Sequence, residues 1–292
     1  MISGKEPVNL PLVHKGKVRD VYDLGQNYLI VASDRISAFD YIIPTLIPNK
    51  GKVLHKLSMF WFNFVQGILP NHIITGDFDN FPAVLKHYGY LRDRAMIVKK
   101  VNRIDIECIV RGYLAGSGWK EYQKSKTVCG INLQDGLQES SKLSEPIFTP
   151  SSKEEGGRHD ENISFEETVK RVGKDTADNL RKFSIELYKK VSDYSISKGI
   201  ILADTKLEFG FYDDKLILID EIFTPDSSRF WEVDKYQMGK SQDSLDKQYV
   251  RDYLERIKWD KASSPPELPS EVVEKTMEKY MDAYEKLTGR KF

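Results

Sequence analysis

The stretch "GIILADTKLEFGFYDDKLILIDEIFTPDSSRFWE", residues 199–232, decides how the rest of the chain is read. Two apolar runs, 200–203 and 216–219, flank the turn chemistry of Asp213-Asp214-Lys215. Runs this apolar read as central, covered strands of a sheet. Yet the first carries Asp204, Lys206 and Glu208 at every second position, so a strand puts all three on one face. The second ends in Asp220 and Glu221. With a three-residue loop, Tyr212 faces Leu216, and Glu208 lands opposite Asp220 with side chains within roughly 5 Å. A two-residue turn shifts the register and sends Asp220 to the other face. Directly opposed acids destabilise a sheet unless a cation lies between them. One or two carboxylates completed by substrate phosphates are how Mg²⁺ is usually held. Lys206, on the same face, reaches a phosphate as a point charge. The alternative is a solvated hairpin whose acids merely face water.

Outward from this hairpin, the chain alternates between strand-rich and helical parts. Residues 17–33 read as a hairpin around the turn "LGQN". Residues 51–68 place Val53, Leu57, Phe60, Trp61, Phe64, Val65 and Ile68 at a helical period. Residues 95–114 read as two short strands joined by a tight turn near Asn102. Residues 130–163, rich in Pro, Ser and Gly, are the least regular part. Ser164 and Glu167 form a capping box. The helix beyond Gly173 has Leu180, Phe183, Leu187, Val191 and Tyr194 on one face. A helix is predicted over 243–257, from Leu245, Tyr249, Tyr253 and Ile257. After the linker "SSPPELPS", a last helix starts near Ser270 and turns Val273, Met277, Tyr280, Tyr284 and Leu287 inward. Strands gather in the first 115 residues and again near 200–222, with helices between and after. That order is α+β rather than alternating βαβ.

The 292 residues suffice for one large domain or two modest ones. Forty-four basic residues balance 44 acidic ones, against a general nucleic-acid or membrane-surface protein. No run reaches the roughly 18 apolar residues of a spanning helix, and the N-terminus has no apolar core of a signal peptide. A soluble, cytoplasmic protein is expected. Cys108 and Cys129 fit neither a disulfide framework nor a metal spacing. The five histidines are too scattered for a zinc site.

Two basic segments address anions. In "HKGKVRDVY" (14–22), Lys15, Lys17 and Arg19 recur at period two, one face of a strand. Gly16 lets backbone approach a ligand, the logic of a phosphate-cradling loop; the alternative is a basic edge strand. In "IVRGYLAGSGW" (109–119), Arg111 precedes a turn in which Gly112, Gly116 and Gly118 expose backbone N–H groups and Ser117 adds a hydroxyl. Arginine beside such a turn is suited to an oxyanion or phosphate. Arg229, behind two serines, is expected to converge with Arg111 on one anionic substrate, distinct from a nucleotide near Gly16.

"GKVRDVYDLG", "SDRISAFD", "IPNKG", "VRGYLAGSGW", "DENIS", "ADTKLEFG", "DEIFTPDSSRFW" and "SQDSLDKQYVRDYL" occur in this order between about residues 14 and 257. Together they resemble the phosphoribosylaminoimidazole-succinocarboxamide synthase (SAICAR synthetase) family of purine biosynthesis. The resemblance implies an ATP-dependent amide-forming ligase. It would join L-aspartate to carboxyaminoimidazole ribonucleotide (CAIR) through an acyl phosphate, releasing ADP and phosphate. It implies an α+β fold with an N-terminal β-rich lobe, 1–110, and a larger α/β lobe with C-terminal helices, 111–292. ATP would lie in the cleft between them, somewhat as in kinases and ATP-grasp ligases. ATP and Mg²⁺ are the implied cofactors. By resemblance, Glu208 and Asp220 are metal and phosphate-side carboxylates. Lys15, Gly16, Lys17, Val18 and Arg19 cover the ATP phosphates, Lys99, Lys100 and Val101 meet adenine, and Lys206 reaches the nucleotide. Arg111, Ser117 and Arg229, with Lys153, His159 and Asp160, form the CAIR site. Asp34, Arg35 and Ser37 position substrate, aspartate among the choices; the alternative for Asp34 and Arg35 is a structural ion pair. Asp220, Lys206 and Arg229 would carry catalysis. Monomer and homodimer are both open. The competing enzyme reading is another ATP-dependent carboxylate-activating ligase or a kinase-like phosphotransferase.

Overall fold

The computed structural model describes residue 6, residues 8–153 and residues 161–292. In chain order come β1 (Leu12–Lys15), β2 (Arg19–Leu24), β3 (Asn27–Ala32), β4 (Ile36–Ala38) and β5 (Tyr41–Ile43). Helix α1 (Lys50–Phe64) precedes β6 (Ile73–Thr75), β7 (Ala95–Lys99), β8 (Asn102–Arg103) and β9 (Ile106–Tyr113). Then follow α2 (Gly116–Ser125), β10 (Thr127–Val128), β11 (Ile131–Asn132), β12 (Lys142–Phe148) and β13 (Ser151–Ser152). Helices α3 (Phe165–Val172) and α4 (Lys174–Ser197) lead into β14 (Ile200–Tyr212), β15 (Lys215–Ile219) and β16 (Ser228–Glu232). The chain closes with α5 (Gln248–Arg256) and α6 (Ser270–Thr288).

The strands form an α+β arrangement with two principal antiparallel sheets. One is five-stranded, in the order β1-β2-β3-β7-β6. The other is seven-stranded and built around β14. At 13 residues, β14 is long enough to take two partners along each edge. One edge meets β9 over 204–207 and β8 over 210–211. The other meets β16 over 200–205 and β15 over 208–212. Between β16 and β15 that edge parts, because the chain over 220–227 leaves the sheet. There the Lys206 amide donates to the Ser227 carbonyl at 2.8 Å. A sheet that splits beside a central strand leaves a crevice, and the polar residues of β14 sit at this split.

Apolar burial fixes the layers. The stripe Leu180, Leu187 and Val191 of α4 covers Cys108, Val110, Leu202 and Leu207 of the large sheet. Leu57 and Trp61 of α1 and Tyr280 and Leu287 of α6 complete that core. Leu29, Val31 and Ile97 of the five-stranded sheet bury against Phe78, Phe81 and Leu91 in a separate, smaller core. Residues of the β4–β5 hairpin, Ile36 and Ile43, pack on Val250 and Leu254 of α5 and Val272 of α6.

Three expectations change. Residues 95–114 are not a hairpin: β7 pairs with β3 and β6, whereas β9 pairs with β14. The chain changes sheets between Lys99 and Asn102, so the turn near Asn102 is a crossing. The helix expected over 243–257 begins only at Gln248, after Asp246 accepts from the Gln248 amide at 2.7 Å. The described residues of 130–163 are less irregular than their composition suggests, since β12 and β13 pair with β9. Of the capping box at α3, the serine half is present, with the Glu167 amide donating to Ser164 Oγ at 3.1 Å, whereas the Glu167 carboxylate accepts from Arg171.

Candidate active site

The hairpin of β14 and β15 does not have the expected register. Asp213 and Asp214 both adopt left-handed backbone, φ 48° and 59°, and close a two-residue turn. Such turns match the twist of the flanking strands, and Asp tolerates the left-handed region. Tyr212 therefore faces Lys215, and Glu208 faces Ile219 rather than Asp220. Asp220 nevertheless returns to Glu208. It follows the last strand residue with φ 66°, so the strand alternation stops there. The two carboxylates share Arg19 and Lys206 as charge partners and repel one another. A residue from the other sheet pins this geometry. The His72 amide donates to the Leu218 carbonyl at 3.1 Å and the Leu218 amide to the Pro70 carbonyl at 2.9 Å, which sets the buried His72 ring beside the Asp220 backbone. Burial pushes the His72 imidazole down to about 3, so it is neutral.

Around the carboxylates lies an alternating charge cluster. Glu208 accepts from Lys153 Nζ at 2.5 Å and from Lys206 Nζ at 3.1 Å. Lys206 also donates to Glu107 at 2.6 Å. Arg19 donates to Asp220 at 2.6 Å and pairs with Glu221. Burial works against the Glu208 charge, but Lys206 and Lys153 outweigh it and hold that carboxyl well below the usual range. Burial raises the Asp220 carboxyl against the pull of Arg19, with Glu208 and Glu221 adding to the rise. Two neighbouring acids pushed in opposite directions mark this cluster as a candidate for chemistry. Among the described residues, no three His, Cys, Asp or Glu are grouped to hold a metal by themselves. Glu208 and Asp220 fit a magnesium ion only where phosphate oxygens complete its shell.

The loop above this cluster departs from the expected strand. β1 and β2 are joined by a tight turn in which the Gly16 amide donates to the Arg19 carbonyl at 2.8 Å. Lys15, Lys17 and Arg19 therefore do not share one strand face. Lys15 ends β1, exposed; Lys17 reaches out to Asp40 at 2.5 Å; Arg19 turns down to the acids. The Val18 carbonyl accepts from the Ser33 amide at 2.9 Å. A Cβ on Gly16 would stand 2.8 Å from the Arg19 carbonyl oxygen, so the turn requires glycine. Asp34 and Arg35 are not paired with each other. Arg35 donates to Asp20 at 2.7 Å and to the carbonyls of Gly16 and Lys17 at 3.0 Å, which makes it the brace of the turn. Asp34 accepts from Arg94 at 3.2 Å and from the Gly51 amide at 3.0 Å. Ser37 is buried in β4. At the crossing between sheets, Lys99 donates to the Asn71 carbonyl at 3.3 Å, Lys100 pairs with Asp23 at 2.8 Å, and Val101 lies against Gly210.

Arg111 and Arg229 converge as expected, and the group between them is internal. Asp204 stands directly opposite Arg111 on β9 and Arg229 on β16. Its Oδ2 accepts from Arg229 at 2.5 Å and from Arg111 at 3.2 Å. Arg111 also donates to Thr149 Oγ1 and to Ser117 Oγ, each at 3.0 Å. One carboxylate against two guanidinium groups leaves an excess of positive charge, and Arg229 keeps a fifth of its side chain exposed, at 21%. The glycines serve close approach: a Cβ on Gly116 would meet Arg229 Nη2 at 2.3 Å, and one on Gly118 would meet Arg111 Cδ at 3.1 Å. His159 and Asp160 lie outside the described residues. Glu107, His72 and Lys50 escaped the sequence reading, and Glu221 was noted there without a role. Glu107 was legible in principle, since it shares the face of Arg111 at period two. Fully buried Lys50 donates to Asp226 at 2.5 Å, and Tyr280 of α6 donates to the same carboxylate at 2.7 Å. No local pattern announces a contact across such sequence separations.

The SAICAR synthetase family model matches residues 12–266. The chain belongs to the SAICAR synthetase family. It is 56% identical over 283 residues to a phosphoribosylaminoimidazole-succinocarboxamide synthase of Geotalea uraniireducens, covering 97% of this chain and 96% of the relative. A Thermodesulfovibrio yellowstonii enzyme of the same name is 54% identical over 279 residues, 95% of each chain. Among solved structures, the SAICAR-synthase of Saccharomyces cerevisiae complexed with SAICAR matches with a TM-score of 0.91 at 45% identity, over 100% of this chain and 99% of that one. A SAICAR synthetase in complex with ADP matches at 0.70 and 25% identity, over 96% and 98%. Asp204 with its two arginines and Glu208 with its two lysines thus lie on one strand of a fold shared with enzymes of one name.

Proposed function

We propose that the chain catalyses the ATP-dependent ligation of L-aspartate to CAIR, giving SAICAR, ADP and phosphate, in purine biosynthesis. The observation that carries this reading is the layout of β14. Asp204, with its two arginines, and Glu208, with its lysines and Asp220, stand four residues apart on one strand. Four residues of strand span roughly 13 Å, about the reach of a nucleotide with a phosphate at one end and a reactive carboxylate at the other.

In this assignment Arg111, Ser117 and Arg229 hold the CAIR phosphate, with Asp204 fixing both guanidinium groups. The loop of Gly16, Lys17 and Val18, braced by Arg35, covers the ATP phosphates, while Lys99 to Val101 face the adenine. Glu208 and Asp220 would hold Mg²⁺ together with those phosphates; when bound, it would neutralise charge during phosphoryl transfer. Lys206 and Lys153, on Glu208, are placed to pass from carboxylate to phosphate oxygens as the nucleotide enters. Arg19 orients Asp220. The CAIR carboxylate then attacks the terminal phosphorus of ATP and becomes an acyl phosphate. The aspartate amine attacks its acyl carbon and phosphate leaves. No covalent nucleophile of the protein is required; the residues supply position and charge. The test is multiple-turnover ADP release by the purified protein, expected only when CAIR and L-aspartate are both present. Sustained release with neither present would favour another carboxylate-directed phosphotransferase.

A further inference from the structure

Resting on that reading, we propose that His72 is a positioning residue for Asp220, fixing the backbone from which this phosphate-side carboxylate projects. His72 stands where the two principal sheets meet. Its amide donates to the Leu218 carbonyl of β15 at 3.1 Å, and its carbonyl accepts from the Lys99 amide of β7 at 2.9 Å. The Leu218 amide returns a bond to the Pro70 carbonyl at 2.9 Å, so Asn71 forms a short parallel bridge with Leu218. Ile73 then opens β6 opposite Val98. With its backbone held from both sheets, His72 has little freedom in where its side chain goes.

That side chain is buried, at 2% exposure. It packs on the Phe62 ring of α1, with centroids 5.7 Å apart and planes tilted by 44°. It also borders the Asp220 backbone, within the field of Arg19, Lys99 and Glu208. Its Nε2 has no hydrogen-bond partner among the described residues. An unpaired nitrogen in a dry interior is unfavourable, and an apolar ring would fill the space against Phe62 without that penalty. The polar ring is accounted for by the peptide it borders. Being neutral, it offers an N–H without adding a charge that would compete for the acids.

Asp220 needs such a neighbour. Glu208 stands opposite Ile219, so a strand continued by one residue would send Asp220 to the other face of the sheet. The left-handed turn at Asp220, φ 66°, is what returns its carboxylate to Arg19 and to the field of Glu208. A residue with a side chain enters that region at a cost, and it stays there only where the surroundings over-determine it. Two constraints do so here. Leu218, two residues earlier, is locked to Pro70 and His72, and the imidazole lies against the peptide that makes the turn. A group that orients the carrier of a metal carboxylate acts on metal affinity without touching the metal.

The experiment is calorimetry of ADP binding to the full-length protein, once with Mg²⁺ and once with EDTA in its place. Mg²⁺ should tighten binding to the wild type. His72→Phe keeps a ring against Phe62 and removes both nitrogens. It should lose most of that tightening while its Kd for ADP in EDTA stays within about twofold of the wild type. In turnover, its half-saturating Mg²⁺ should rise about tenfold or more, with the KM for CAIR nearly constant. His72→Gln, which keeps a neutral polar group, should regain most of the tightening. The assignment is overturned if His72→Phe tightens as the wild type does, if it loses ADP affinity equally with and without Mg²⁺, or if His72→Gln is as impaired as His72→Phe. If His72→Phe melts far below the wild type, His72→Met takes its place under the same criteria. Wild-type ADP binding that ignores Mg²⁺ would instead sink the reading of Glu208 and Asp220 as metal carboxylates.

Discussion

Arg229 and Gly116 are fitted to one another: a Cβ added at position 116 would stand 2.3 Å from Arg229 Nη2. Gly116 also has φ 55°, the left-handed region that glycine enters freely. Gly116→Ala should thus displace the guanidinium and strain the turn together. We expect the KM for CAIR to rise tenfold or more, with a stability loss of about 1 kcal/mol. An unaltered KM would show that Arg229 does not touch this substrate.

Ser117 offers a milder test of the same site. Arg111 is a poor target for truncation, because removing it leaves Asp204 buried against one arginine, at a cost of roughly 3–5 kcal/mol. Ser117→Ala removes a single hydroxyl at the rim. It should raise the CAIR KM by about fivefold to tenfold, near 1 kcal/mol, with kcat and melting temperature nearly constant. A fall in kcat at constant KM would place Ser117 at the reacting atoms instead.

Asp220→Asn keeps the shape of the side chain and removes its charge. The hydrogen bond from Arg19 can persist on the amide oxygen, so the fold should stand. Turnover should drop by at least about 100-fold, the scale of losing one group that acts on transition-state charge. ADP release within a few-fold of the wild type would dismiss Asp220 from the phosphate-side chemistry.

Acidification should unfold the protein through two histidines. Burial pushes His72 down to about 3 and His55 down to about 4, so both are neutral in the fold. Below pH 6.5 the unfolded chain takes up two protons that the folded chain refuses until near those values. Their contribution is complete above pH 6.5 and declines as pH falls toward 4, by up to about 2.7 kcal/mol per pH unit for the pair. Melting temperatures at pH 7.5, 6 and 5 should trace this slope. In a His55→Gln, His72→Gln double variant the slope should flatten; if it stays as steep, other groups drive acid unfolding.

The buried triad of Lys50, Asp226 and Tyr280 ties α1 and α6 to the loop that leads into β16 and Arg229. Lys50→Met should cost roughly 3–5 kcal/mol by stranding Asp226, and adding Asp226→Asn should recover a good part of it. Additive losses in the double variant would mean that the two side chains act independently.

The amino-acid sequence by itself determined the α+β class, the helical stripes of α1, α4 and α6, the apolar strands within 199–232, and the convergence of Arg111 with Arg229. Each of these rests on local periodicity, or on residue types whose chemistry survives any packing. Register and braces belonged to the tertiary structure. Whether Asp220 meets Glu208 depends on two left-handed aspartates in a turn and a third at φ 66°, beside a strand that the His72 backbone, just before β6, holds at Leu218. Whether Arg35 pairs with Asp34 or braces the Gly16 turn depends on carbonyls that no side-chain pattern marks. Lys50 and Tyr280 owe their surroundings to contacts between distant segments. Periodicity reports which face a residue occupies; only the packed chain settles what stands opposite that face.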